Sequence, residues 1–191
     1  MWKRFQSLEE GLLKYGVAAL LIVIPLYPKF PLFTVPGTGV AIRAEDFLIA
    51  LVAMVWLFHE ARTRFEFLKD NLNKIILAYF LIGFISFVSA VFITQTVIPY
   101  IALLHTVRRV EYMIVLFIMV ASVKSIKEII FYLQVILLTL LLVFLYGIGQ
   151  KFFYLPVIST MNVEFAKGIA LRLHAGERLS STFAGHYEIG S

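Results

Sequence analysis

The chain has 191 residues, of which 61% are hydrophobic, 15% aromatic and only 15% charged, with a mean hydropathy of +0.90. Water-soluble domains carry about 45–50% apolar and about 25% charged residues, so this composition excludes a disordered chain, a coiled coil and an ordinary soluble globule, and points to a bilayer. The formal net charge of +5 comes from 17 Lys and Arg scattered between apolar runs rather than gathered into the stripe of a nucleic-acid binder, and there is no cysteine for a disulfide, a thiolate metal site or a nucleophile.

A helix crosses a hydrocarbon core roughly 30 Å thick with about 20 mostly apolar residues. Five stretches meet this need, predicting an all-α, polytopic transmembrane protein. The first span covers about 12–27, behind Ser7-Leu8-Glu9-Glu10, which reads as a capping box. No small-residue cleavage site follows it, so it reads as retained rather than as a signal peptide. A proline-rich loop and Gly37-Thr38-Gly39 lead to the second span, about 40–58. The third, about 75–93, opens at Asp70-Asn71. The fourth, about 102–123, must reach back toward Pro99, because the apolar residues 110–123 alone are too short. The fifth, about 129–149, follows a second capping box, Ser125-Ile126-Lys127-Glu128. A transmembrane barrel would show alternating segments of about ten residues instead of these solid runs.

Residues 1–149 thus form a membrane domain, and 150–191 the start of an extracytoplasmic loop leading to a further span. The odd number of spans and the finish at Glu188-Ile189-Gly190-Ser191 read as a piece of a longer protein. With the amino terminus in the cytoplasm, the inner segments hold Lys3, Arg4, Lys14, Arg62, Arg64, Lys69, Lys74, Lys124 and Lys127. The short outer loops hold only Lys29, Arg43, Arg108 and Arg109. Positive residues favour the inner side, so this orientation is expected. Trp2, Trp56, Tyr27, Tyr100 and Tyr154 fall near span ends, as interfacial aromatic belts do.

Extending the fourth span draws Arg108, Arg109 and Glu111 into the outer part of the membrane, with His105 one turn further out. Arg108 and Glu111 are spaced i,i+3 and within pairing reach. Two readings stand: interfacial residues whose long stems reach the headgroups, or an anion site on the outer leaflet. Arg43 and Asp46 form a second i,i+3 pair beside Glu45 at the outer end of the second span, where acidic residues also suit the helix dipole. The outer segments, tail included, favour Arg over Lys, and Arg is the better partner for bidentate phosphate contacts. In the tail, Arg178 precedes Ser180-Ser181-Thr182-Phe183-Ala184-Gly185-His186-Tyr187. Its hydroxyls suit phosphate or sugar, or simply a polar loop before the next span. Gly37-Thr38-Gly39 lacks a third glycine, His59-Glu60 lacks a second histidine, and dispersed histidines with two aspartates give no metal cluster.

Several of these segments resemble the bacterial O-antigen ligase and polymerase-type membrane proteins. They are Pro25-Leu26-Tyr27-Pro28-Lys29-Phe30-Pro31, Val40-Ala41-Ile42-Arg43-Ala44-Glu45-Asp46, Val107-Arg108-Arg109-Val110-Glu111-Tyr112 and 178–187. Gly185-His186-Tyr187 stands where many members have Asn-Pro-Asn. The resemblance implies the amino-terminal part of a helical membrane glycosyltransferase in the bacterial cytoplasmic (inner) membrane. Such an enzyme transfers or polymerises undecaprenyl-pyrophosphate-linked glycan on the outer face, in lipopolysaccharide and related polysaccharide biosynthesis. It uses a lipid or sugar acceptor and neither metal nor nucleotide cofactor. Arg178, Arg108, Arg109 and Arg43 then become pyrophosphate contacts, with Glu111 and Asp46 orienting them. A transporter or flippase for a lipid-linked or anionic solute is the alternative, against which stand the absence of inverted repeats and of midplane Gly/Pro breaks. A non-catalytic membrane subunit would show more small-xxx-small patterns than these bulky spans do.

Overall fold

The five apolar stretches become five long helices in a computed structural model, which describes residues 2–27, 31–35, 41–158, 170–171 and 181–183. They are α1 (Trp2–Leu26), α2 (Ala44–Arg62), α3 (Asn71–Val88), α4 (Pro99–Ser122) and α5 (Ile126–Phe153). A 3-10 turn, Glu66–Lys69, precedes α3, and a π-helical turn, Ser89–Ile93, extends it. Two small antiparallel pairs accompany the helices: β1 (Pro31–Thr34) with β2 (Ala41–Arg43), and β3 (Val157–Ile158) with β4 (Ala170–Leu171). The first pair aligns Phe33 with Ile42 and Thr34 with Ala41, and its register slips between Pro31 and Phe33. An all-helical expectation therefore holds for the long elements, while the proline-rich connection folds back on itself as a short ribbon.

Helix boundaries follow local chemistry. Asp70 caps α3, its carboxylate accepting the Leu72 N–H at 3.4 Å. Pro99 occupies the first turn of α4, where its missing N–H costs nothing, so the helix does reach back to it. Both halves of the Ser125/Glu128 capping box form at the start of α5. The Ser7 capping box does not, because α1 already begins at Trp2 and Ser7 lies inside it. No Pro or Gly in residues 2–10 interrupts the helix there, so it outruns the apolar stretch. Pro25 sits in the last turn of α1, which ends one residue later.

Among the described residues, two helices are long and apolar enough to cross a membrane. They are α3 with its π-helical turn, Asn71–Ile93, at a mean hydropathy of 2.5, and α5, at 2.6. None of the apolar window in the first and only 17% of that in the second is buried inside the protein. A core helix of a soluble domain would instead be covered. The expectation of about five spans thus reduces here to two helices that meet the length and hydropathy requirement.

Two compact units divide the chain. One comprises Met1–Val17 and Ile49–Lys124; the other comprises Ala18–Leu48 and Ser125–Ser191. In the first, Leu13, Val17, Ile49, Val52, Trp56, Phe117 and Ile118 are buried, and Gly16 lets Val52 approach so closely that a Cβ there would lie 3.0 Å from Val52 Cγ1. Trp56 was expected at the membrane interface but is only 4% exposed. Its ring stacks on Phe117 at 5.9 Å and meets the edge of Phe67 at 5.3 Å. The 3-10 turn after α2 carries Phe67 back over Trp56, which periodicity within α2 does not reveal. In the second unit the buried positions include Leu20, Tyr132, Val143 and Val157.

Candidate functional site

In the second unit, the tail is fastened to helix ends through residues 181–182. Gln150, in the last turn of α5, is 1% exposed. Its Oε1 accepts the Ser181 N–H at 2.8 Å, while its Nε2 donates to the Ser181 carbonyl, also at 2.8 Å, and to the Pro156 carbonyl at 3.3 Å. The Ser181 hydroxyl donates to the Val143 carbonyl at 2.6 Å, and the Thr182 hydroxyl to the Pro25 carbonyl at the end of α1. Gly147 leaves room for this corner, since a Cβ there would sit 3.7 Å from Ser181 Cβ. Ser181 adopts φ 50°, a left-handed conformation costing a non-glycine residue roughly 1–2 kcal/mol. The four hydrogen bonds made by this one residue and Gln150 offset that cost.

The same unit contains the start of α2. Asp46 Oδ2 accepts the Arg43 backbone N–H at 2.8 Å, which caps the helix. Arg43 Nη1 lies 3.3 Å from Oε1 of the buried Glu45. The predicted Arg43/Asp46 set is therefore a three-residue arrangement, with one carboxylate on the backbone and the neighbouring one on the guanidinium. Acidic residues in this first turn also meet the positive end of the α2 dipole.

The α4 candidates belong to the first unit. Arg108 and Glu111 are half-buried one turn apart. Arg109 is exposed and turns toward α3, its Cζ 5.9 Å from the Tyr79 ring centroid. Arg178, His186 and the remainder of the tail motif apart from Ser181, Thr182 and Phe183 lie outside the described residues.

A further charged cluster in the first unit has no counterpart in the sequence reading. Glu9, 8% exposed, pairs with Arg62 Nη1 through Oε2, and its Oε1 lies 3.2 Å from His59 Nδ1 without hydrogen-bond geometry. Beside it, Leu8, Leu12, Val55 and Phe58 line an apolar cleft of about 330 Å³, which Glu9 and Arg62 close at one end. On α2, Glu60 is buried and accepts the Phe67 N–H at 3.5 Å. The i,i+3 spacing of His59 and Arg62 is legible in the sequence; their shared partner, 50 residues and more away, is not. Gln150 does leave a local signal: a lone amide at the end of an apolar run.

Among the described residues no group of three or more His, Cys, Asp or Glu is arranged to hold a metal. The described arginines suit an oxyanion, while the Ser181 and Thr182 hydroxyl protons are already given to the Val143 and Pro25 carbonyls. No family model, curated protein or solved structure matches the chain.

Proposed function

We propose that this chain forms part of a metal-independent membrane glycosyltransferase of O-antigen ligase or polymerase type. It binds undecaprenyl-pyrophosphate-linked glycan at the outer face of the bacterial cytoplasmic membrane, with five spans and a cytoplasmic amino terminus. The acceptor hydroxyl attacks the anomeric carbon, the bond from that carbon to the pyrophosphate oxygen breaks, and a general base takes the hydroxyl proton. Arginine side chains stabilise the leaving pyrophosphate as its charge develops. Arg43 and Arg178 are the assigned contacts. Glu45 orients the Arg43 guanidinium, and Asp46 holds the Arg43 backbone at the start of α2. Arg109, turned onto Tyr79, is left out of the assignment.

One observation carries this reading: the fastening of Ser181 and Thr182 to the ends of α5 and α1. It brings Ser181 and Thr182, within the motif that begins at Arg178, into the unit that also contains Arg43.

Binding of undecaprenyl pyrophosphate to the full chain in nanodiscs tests the proposal. Micromolar affinity is expected, weakened about tenfold or more, roughly 1.4 kcal/mol, by Arg178→Ala or Arg43→Ala. Equal binding by the unaltered chain and by the Arg43 and Arg178 variants would refute it.

A further inference from the structure

His105, Arg109 and Tyr112 follow one another at i, i+4 and i+7 on α4, so they share a face, and all three are exposed. Arg109 does not follow the usual course of a long basic side chain, which bends toward the nearest headgroups. It reaches sideways over Tyr79 of α3, and a Cβ built on Gly83 would come within 3.3 Å of its Nη1. Gly83 is thus a notch that admits the guanidinium, and Tyr79 supplies the ring face beneath it. Along the candidate span Asn71–Ile93, Gly83 stands about 18 Å from one end and about 15 Å from the other, at about 1.5 Å per residue. With that span crossing a hydrocarbon core roughly 30 Å thick, Gly83 would lie near its middle.

A cation at that depth is expensive in lipid and faces a partner or a polar cavity. The Tyr79 ring attracts it less strongly than a carboxylate would. Phospholipid phosphates sit at the interface, about half the core thickness away. The compensating anion must therefore arrive on protein. Nor is the surrounding face purely apolar: Tyr79 and Ser86 on α3 and His105 and Tyr112 on α4 are all exposed, and polar side chains join transmembrane helices to one another.

We infer that this face of α3 and α4 docks an apolar transmembrane helix carrying one carboxylate near mid-span, with Arg109 as its ion-pair partner. The inference is independent of the proposed glycan transfer, which does not use Arg109.

A Leu-rich synthetic transmembrane peptide with a single central Asp, and its Asn and Leu counterparts, test it against the full chain in nanodiscs by fluorescence energy transfer. The Asp peptide is expected to bind at least tenfold tighter than the Leu peptide. Arg109→Leu should abolish the preference, Gly83→Leu should reduce it by displacing the guanidinium, and Arg109→Lys, which keeps the charge, should retain part of it. Unchanged helical circular dichroism establishes that each variant is folded. Equal binding of the three peptides to the unaltered chain, or a preference that survives Arg109→Leu, overturns the inference. So does displacement of the Asp peptide by undecaprenyl pyrophosphate, which would assign the face to a phosphate.

Discussion

At Gln150 a single side-chain amide meets both the N–H and the carbonyl of Ser181, and all of these groups are buried. Replacing it by Leu of similar size leaves both backbone groups without that partner, and each unsatisfied buried group costs about 1–3 kcal/mol. Gln150→Leu is therefore expected to loosen residues 181–183 by about 2 kcal/mol or more, read as faster amide hydrogen exchange there with α3 unaffected. An unchanged exchange rate would show that the fastening holds without the amide. Glu9 behaves differently, because its partners are charged. Glu9→Gln should cost roughly 1.5–3 kcal/mol, the range for hydrogen bonds to charged groups. Because Glu9 is buried, added salt should recover little of it. Urea unfolding in micelles measures the loss, and a double-mutant cycle with Arg62→Gln should return a coupling of about 0.5–3 kcal/mol; additive losses would mean that the two residues do not act together.

Among the helices, α3 and α5 were the most legible, since each begins at a capping residue and continues as an unbroken apolar run. Ser125→Ala removes the capping hydroxyl and should cost about 1 kcal/mol, seen as fraying of the first turn of α5 by amide exchange. A loss spread along the whole helix would contradict a local cap. The far end of α5 was less legible. The expected span ends at about 149, yet the helix continues to Phe153 and turns at Tyr154, whose φ is 54° and whose N–H returns to the Gly149 carbonyl. The glycine is used for close packing, with a Cβ there falling 2.4 Å from Leu155 Cδ1. The α1 start was misread for a related reason. A Ser-x-x-Glu spacing marks a helix beginning only where the preceding residues leave the helix, and residues 2–6 do not.

For the molecule as a whole, the absence of native cysteine makes topology directly measurable with single introduced cysteines. Lys69→Cys and Lys127→Cys should be labelled only from the cytoplasmic side, and Thr96→Cys and Lys151→Cys only from the outside, by a membrane-impermeant maleimide in intact and permeabilised cells. Labelling of Lys69→Cys and Thr96→Cys from one side would remove α3 as a span. The same Lys127→Cys and Lys151→Cys comparison decides α5. Among the described residues two helices pass on length and hydropathy where five runs were expected, because α1, α2 and α4 carry ionisable groups at Glu9, Glu10, Lys14, Glu45, Asp46, Glu60, Arg108, Arg109 and Glu111. Whether such groups suit a membrane depends on what neutralises them.

Composition and periodicity alone determined that the chain is helical, where its long helices lie within a few residues apart from the start of α1, and that α3 and α5 are lipid-compatible. These properties follow from hydropathy, helix propensity and caps, all set within a few turns of one another. Which side chains meet was decided only by the tertiary structure. Glu9 finds Arg62, Trp56 is covered by Phe67 and Phe117, Gln150 holds Ser181, and Arg109 enters the Gly83 notch. Each pairing joins residues brought together by the path of the chain. A burial pattern with a period of 3.6 residues can tell which face of a helix is covered, but not by what.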